Sequence, residues 1–223
     1  MAISLREIVI RHTRESATRT ANIANRVLQT QKMTSPKPHV VVVSGPSGVG
    51  KTTVVRRVMD ECPLPLTLST SVTTRQPRAG ELDGADYHFL EKNEFLRRRE
   101  AGDFLESFEV FGRGHWYGTL RDKVASSLAA GKWVVLEIDV NGAMQVVEQH
   151  PDAITVFVSP DSFTELERRL RGRATETEER IQRRLEIARD ELQFKDRYRH
   201  VVVNDDVERA TNEIIEILTQ SGA

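Results

Sequence analysis

The eight residues Gly45-Pro46-Ser47-Gly48-Val49-Gly50-Lys51-Thr52 constrain this chain more than any other stretch. They fit the pattern G-x-x-x-x-G-K-[ST] at every position. Glycines let the backbone fold tightly, so that its N–H groups point inward at phosphate oxygens. A helix opening directly after the loop presents its N-terminus to the same anion. Lys51 supplies a mobile point charge for β- and γ-phosphates, and Thr52 offers a hydroxyl to Mg²⁺. The flanks carry the context this motif requires. His39–Ser44 is a β-branched run of the kind buried on both faces of a parallel sheet, and Lys51–Glu61 reads as a helix that Pro63 stops. A glycine-rich turn that merely caps a helix is the plainer reading, and motif and context together outweigh it.

Beyond this unit, strand-like segments alternate with helix-like ones. Trp133–Asp139, Ala153–Val158 and His200–Val203 read as strands, and Phe163–Arg171, Glu178–Phe194 and 207–219 as helices. The alternation predicts a doubly wound parallel α/β sheet of the P-loop NTPase type. Residues 70–119 break the rhythm. They are rich in Thr, Arg, Gly and aromatics, and predict a small inserted lobe of short strands and turns.

Residues 1–36 form an extension with six basic residues against Glu7 and Glu15 only. An Arg-rich, acid-poor, amphipathic start has the composition of an organellar transit peptide. A poorly ordered bacterial extension, or a helix lying on the domain, is the plainer expectation, and Met33 offers a shorter start. Pro36 and Pro38 mark the boundary. The formal net charge of -1 argues against a general nucleic-acid binder. No stretch has the length of apolar residues needed to span a bilayer. The lone cysteine, Cys62, reads as a half-buried small hydrophobe with no neighbouring base.

The second informative stretch follows Ser71. Arg75 and Arg78, held apart by Pro77, can converge on one phosphate with fork-like hydrogen bonds, and Tyr87 can add a hydroxyl. Beside a phosphate loop this suggests a second anion site, because phosphoryl transfer brings two anions together. Ser71 through Phe89 read S-x-T-T-R-x-P-R-x-G-E-x-x-G-x-x-Y-x-F. With the phosphate loop, this signature resembles the guanylate kinases, and the resemblance runs from about His39 to Leu218.

The resemblance implies an ATP-dependent, Mg²⁺-assisted phosphorylation of GMP to GDP. It implies a core at 37–69 and 120–220, a GMP-binding lobe at 70–119 and a lid at about 169–184. Arg75, Arg78, Tyr87 and Tyr117 would hold the GMP phosphate. Glu106 would accept from guanine N1–H and the 2-amino group, with Ser71, Thr119 and Asp139 around the base and Glu81 in the acceptor loop. On the donor side, Gly45 to Thr52 would bind ATP, Asn204 would touch the adenine, and Lys51, Arg169, Arg173 and Arg184 would neutralise the transferring phosphoryl. Thr52, and Glu137 through a water, would face Mg²⁺. The expected partners are ATP and GMP alone, with no nucleic acid or membrane, in a monomer or homodimer. The expected compartment is the cytoplasm, or an organelle if residues 1–33 are a transit peptide.

Read from the residues, Asn204 is equally the turn leaving the last strand, with Asp205 or Asp206 capping the next helix. Three places depart from the family pattern: Glu137 stands for Asp, Asn141 for Gln, and the loop 111–116 is longer by about two residues. His115 and Trp116 in that loop read as surface residues, with new substrate contacts as the alternative. A partner-binding scaffold module, a kinase for another acceptor and a nucleotide sensor are the competing readings. The first two fit poorly with the intact phosphate loop and with Glu106, Ser71 and Arg75 occurring together.

Overall fold

The computed structural model describes residues 37–110, 114–172 and 177–222. The expected extension, the loop residues Phe111 to Arg113 and the lid residue Arg173 lie outside the described residues.

Four consecutive valines open the core. In strand β1 (Val40–Ser44) every residue is buried. Side chains alternate across a strand. Val41 and Val43 therefore enter one apolar cluster, with Val54, Leu166, Leu185 and Ile214. Val40 and Val42 enter a second cluster, with Leu136, Val140, Val146 and Phe157. A strand buried on both faces needs helices on both sides, and these clusters are where the helices pack.

Strands β2 (Leu66–Leu68), β7 (Trp133–Glu137), β8 (Ile154–Ser159) and β9 (His200–Val203) join β1 in a five-stranded sheet of order β2-β7-β1-β8-β9. The pairings are parallel throughout. β1 is central, and the chain crosses to its two sides at different points, which opens a crevice at the carboxyl ends of the strands. Helices α1 (Lys51–Glu61), α5 (Phe163–Arg171), α6 (Glu178–Leu192) and α7 (Val207–Ser221) contribute to the first cluster. Helices α3 (Arg121–Ala129) and α4 (Val140–Gln149) contribute to the second.

The inserted lobe is a separate sheet of order β4-β3-β6-β5, formed by β3 (Val72–Thr73), β4 (His88–Phe89), β5 (Phe104–Val110) and β6 (His115–Leu120). It also holds helix α2 (Lys92–Glu100), which strands and turns alone did not anticipate. Its own small core is Val72, Phe95, Phe104 and Leu120, with Phe95 stacked on Phe104 at 4.4 Å. Trp116, expected at the surface, packs against this core, with Arg99 lying 4.5 Å over its ring. An indole contributes more by covering apolar area than by facing water. Cys62 is half-buried beside the main core, as expected. Among the described residues no helix is long and apolar enough to cross a membrane.

Candidate active site

The phosphate loop joins β1 to α1 at the carboxyl edge of the sheet. Gly45 makes its first turn at φ 141, and a Cβ there would lie 2.2 Å from the Val158 carbonyl oxygen, so only glycine fits. Two side chains brace the loop from behind, both through the Val49 carbonyl. Asn204 Nδ2 donates to the Val49 carbonyl at 2.7 Å. Arg169 donates to that carbonyl at 3.3 Å and to the Asn204 carbonyl at 3.1 Å, while Glu165 holds its Nε at 2.8 Å. Asn204 is only 2% exposed. Expected against the adenine, its amide is in this structure a buried strut of the loop. The turn reading holds beside it, since Asp206 caps α7 by accepting from the Arg209 N–H at 2.9 Å.

Lys51 lies over the loop, its Nζ donating to the carbonyls of Gly45 at 2.6 Å and Pro46 at 3.1 Å. Burial lowers its pKa, and the charges of Glu191, Glu137 and Asp139 oppose that shift. Helix α6 grips Ser47 from two turns. Arg184 Nη2 donates to Ser47 Oγ at 2.9 Å, and Glu191 Oε2 accepts from the Ser47 N–H at 3.2 Å. Sequence reasoning did not single out Glu191. It lies in a helix of alternating charge, where nothing local marks one glutamate as the one turned toward the phosphate loop. Its carboxyl is raised above the ordinary range by burial.

Thr52 Oγ1 donates to Glu137 Oε1 at 2.6 Å, so the two expected Mg²⁺-facing residues meet at the mouth of the loop. Both offer oxygen, the donor Mg²⁺ prefers. Among the described residues no three His, Cys, Asp or Glu side chains converge as a metal cage.

A cavity of about 300 Å³ opens beside Arg169, lined by Asp161, Ser162, Thr164, Glu165, Arg168 and Asp205.

On the lobe, Arg75 is the hub. Its Nη atoms clasp the Glu81 carboxylate at 2.8 and 2.9 Å, its Nε donates to Tyr117 Oη at 3.1 Å, and its guanidinium lies 5.4 Å over the Tyr87 ring. Glu81 also accepts from the Arg78 N–H at 2.8 Å, and the Arg75 contact holds its carboxyl below the usual range. Glu81 therefore shapes the loop that carries both arginines, and as a carboxylate it is not itself a phosphate ligand. Arg78 is exposed on that loop, and Tyr87 meets Tyr117 edge-on at 5.8 Å.

Where the lobe meets the core, Glu106 is 2% exposed. Thr119 Oγ1 donates to its Oε1 at 2.7 Å, while its Oε2 is buried without a hydrogen-bond partner. Burial pushes its carboxyl up to about 7, a shift the Asp139 charge reinforces. Asp139 caps α4, accepting from the Gly142 N–H at 2.7 Å, and burial raises its carboxyl too. Ser71 is half-buried just before β3, its carbonyl accepting from the His88 N–H at 2.9 Å.

A profile of the family described as guanylate kinase matches residues 37–221. The chain belongs to the guanylate kinase family. It is 53% identical over 180 residues to a guanylate kinase of Rhodopirellula baltica, covering 80% of this chain and 86% of that one. It is 50% identical over 175 residues to one from Synechococcus, covering 78% and 92%. Among solved structures, a guanylate kinase from Anaplasma phagocytophilum matches with a TM-score of 0.70 at 32% identity, covering 84% of this chain and 87% of that one. The guanylate kinase family thus accounts for the fold from the first core strand to the closing helix.

Proposed function

We propose that the chain transfers the γ-phosphoryl group of ATP to GMP, giving ADP and GDP. The observation that carries this reading is the Glu106 carboxylate, buried with one free oxygen across the crevice from a complete phosphate loop. A buried, unpartnered carboxylate oxygen is costly unless a ligand supplies donors. Guanine offers N1–H and a 2-amino group, which a carboxylate accepts in parallel. Adenine offers an acceptor at N1, so it leaves the carboxylate unpaired.

The transfer needs no protein nucleophile. A GMP phosphate oxygen attacks the γ-phosphorus in line, the bond to the β-phosphate oxygen breaks, and ADP leaves. The chain's part is to position and to neutralise charge. The amides of Gly45 to Thr52 and Lys51 bind the donor phosphates, whose negative charge opposes the lowering of the Lys51 pKa by burial. Arg169 and Arg184, with Arg173, spread the charge of the moving group. Arg75, Arg78, Tyr87 and Tyr117 take the GMP phosphate, while Ser71, Thr119 and Asp139 surround its base. Mg²⁺, held by Thr52, Glu137 and the phosphates, would neutralise the β- and γ-phosphate oxygens.

Glu106→Gln tests the assignment. An amide presents a donor where guanine also donates, so kcat/KM for GMP should fall roughly a hundredfold or more, with KM for ATP held. Unchanged turnover of GMP by this variant would remove Glu106 as the base reader.

A further inference from the structure

Among the described residues, no strand pairs with the outer edge of β5, which ends its sheet. An open edge presents unpaired backbone groups. Here helix α4 closes it with side-chain amides. Gln145 Oε1 accepts from the Ser107 N–H at 3.2 Å, and its Nε2 donates to the Ser107 carbonyl at 3.2 Å, the two bonds a neighbouring strand would have made. Gln149 Nε2 donates to the Leu105 carbonyl at 2.7 Å. Leu105 and Ser107 flank Glu106, so both bonded residues are its immediate neighbours.

The same helix reaches the Glu106 side chain. A Cβ on Gly142 would stand 2.6 Å from Glu106 Oε2 and 3.2 Å from its Cδ. Gly142, Gln145 and Gln149 are spaced as one stripe of a helix. The first leaves room for the carboxylate, and the other two hold the backbone on either side of it.

We infer that the Gly142-Gln145-Gln149 stripe of α4 is a positioning element for base selection, setting where the Glu106 carboxylate stands relative to the core. The proposal rests on the reading of Glu106 as the guanine-reading group. It makes the glutamines positioning residues that touch no substrate, and it explains how a residue on a strand of the inserted lobe is registered against the core that carries the phosphate loop.

The test uses full-length chain carrying Gln145→Met, which keeps length but loses both hydrogen bonds, and Gly142→Ala. The second variant is favourable for a helix interior. The only atom its methyl would meet closer than 3.0 Å is the carboxylate oxygen itself. KM and kcat are measured for GMP and for inosine monophosphate, which lacks the 2-amino group, together with KM for ATP and a thermal melt. Each variant should raise KM for GMP on the order of tenfold, Gln145→Met through the loss of two neutral hydrogen bonds and Gly142→Ala through a methyl that displaces the carboxylate oxygen, and each should shrink the preference for GMP over inosine monophosphate. kcat and KM for ATP should stay within about twofold.

If both folded variants keep wild-type KM and preference, the inference is overturned. It is also overturned if kcat and KM for ATP move in step with KM for GMP, since that marks general damage. Should Gln145→Met fail to fold, Gly142→Ala decides alone. Glu106→Gln run in parallel separates the two claims: a preference unchanged in that variant removes the base-reading role of Glu106 itself, while a collapsed preference there with intact values in the stripe variants removes only the stripe.

Discussion

Burial holds the Glu106 carboxyl up at about 7, with the Thr119 hydroxyl opposing the shift and the Asp139 charge adding to it. A raised carboxyl means that the folded, ligand-free chain binds more protons than the unfolded chain between the ordinary glutamate range and about 7. Stability from this group is therefore present at low pH and lost as pH rises through about 7. GMP reverses the balance, because guanine donors favour the ionised form. The stabilisation GMP gives should then grow from about pH 6 to about pH 8, and binding near pH 6 should release a proton. Thermal melts with and without GMP at both pH values check this. The phosphate of GMP also titrates nearby, so the decisive quantity is the difference from Glu106→Gln, which should lose the part due to this carboxyl. Glu106 could be found in the sequence only through its resemblance to a family position, since one glutamate in a Phe-Leu-Glu-Ser run has no local mark of burial. Glu191, Gln145 and Gln149 were not legible at all. Each acts on a partner 38 or more positions away in the chain, a distance that no local pattern spans.

Among the elements, the unit of β1, phosphate loop and α1 is the one that local chemistry specifies most fully. Its strand is a β-branched run, its loop is dictated by glycine, and its helix begins at Lys51, as the sequence predicts. Gly45→Ala should be among the most damaging small changes in the molecule. A methyl there meets a backbone carbonyl at 2.2 Å with φ at 141, and nothing nearby can yield cheaply. Chemical denaturation should register a loss of about 3 kcal/mol or more. Gly80→Ala, also at positive φ but with nothing within 4 Å of the added carbon, should cost only about 1 kcal/mol. Equal losses at the two sites would contradict the view that close packing against Val158 fixes the loop. Other elements were harder to read. β2 is three residues long and follows two prolines, and α2 buries only Phe95, so neither carries much periodic signal. The cap of α4 is the same Asp139 that the family resemblance assigns to the base. The strand expected to run to Asp139 ends at Glu137, which leaves Asp139 free to cap the helix.

For the whole molecule, the alternation of strands and helices was enough to predict a doubly wound sheet, and the glycine-rich stretch enough to predict an inserted lobe. Strand order was not legible, because which parallel strands pair depends on contacts between distant segments. What the assembled fold adds is convergence. The donor loop, the paired Thr52 and Glu137, and the Glu106–Asp139 corner are carried by separate segments that meet at one edge of the core sheet. Arg75, Glu81 and the two tyrosines stand on the lobe. This convergence should make an enzyme selective for GMP as acceptor. ADP release from ATP and Mg²⁺ by the full chain, offered GMP, AMP, CMP and UMP in parallel, measures that selectivity. Turnover with GMP is expected, with a preference over each other nucleotide on the order of 10³ or more in kcat/KM. Comparable turnover with AMP, or none with GMP from folded chain, would contradict it.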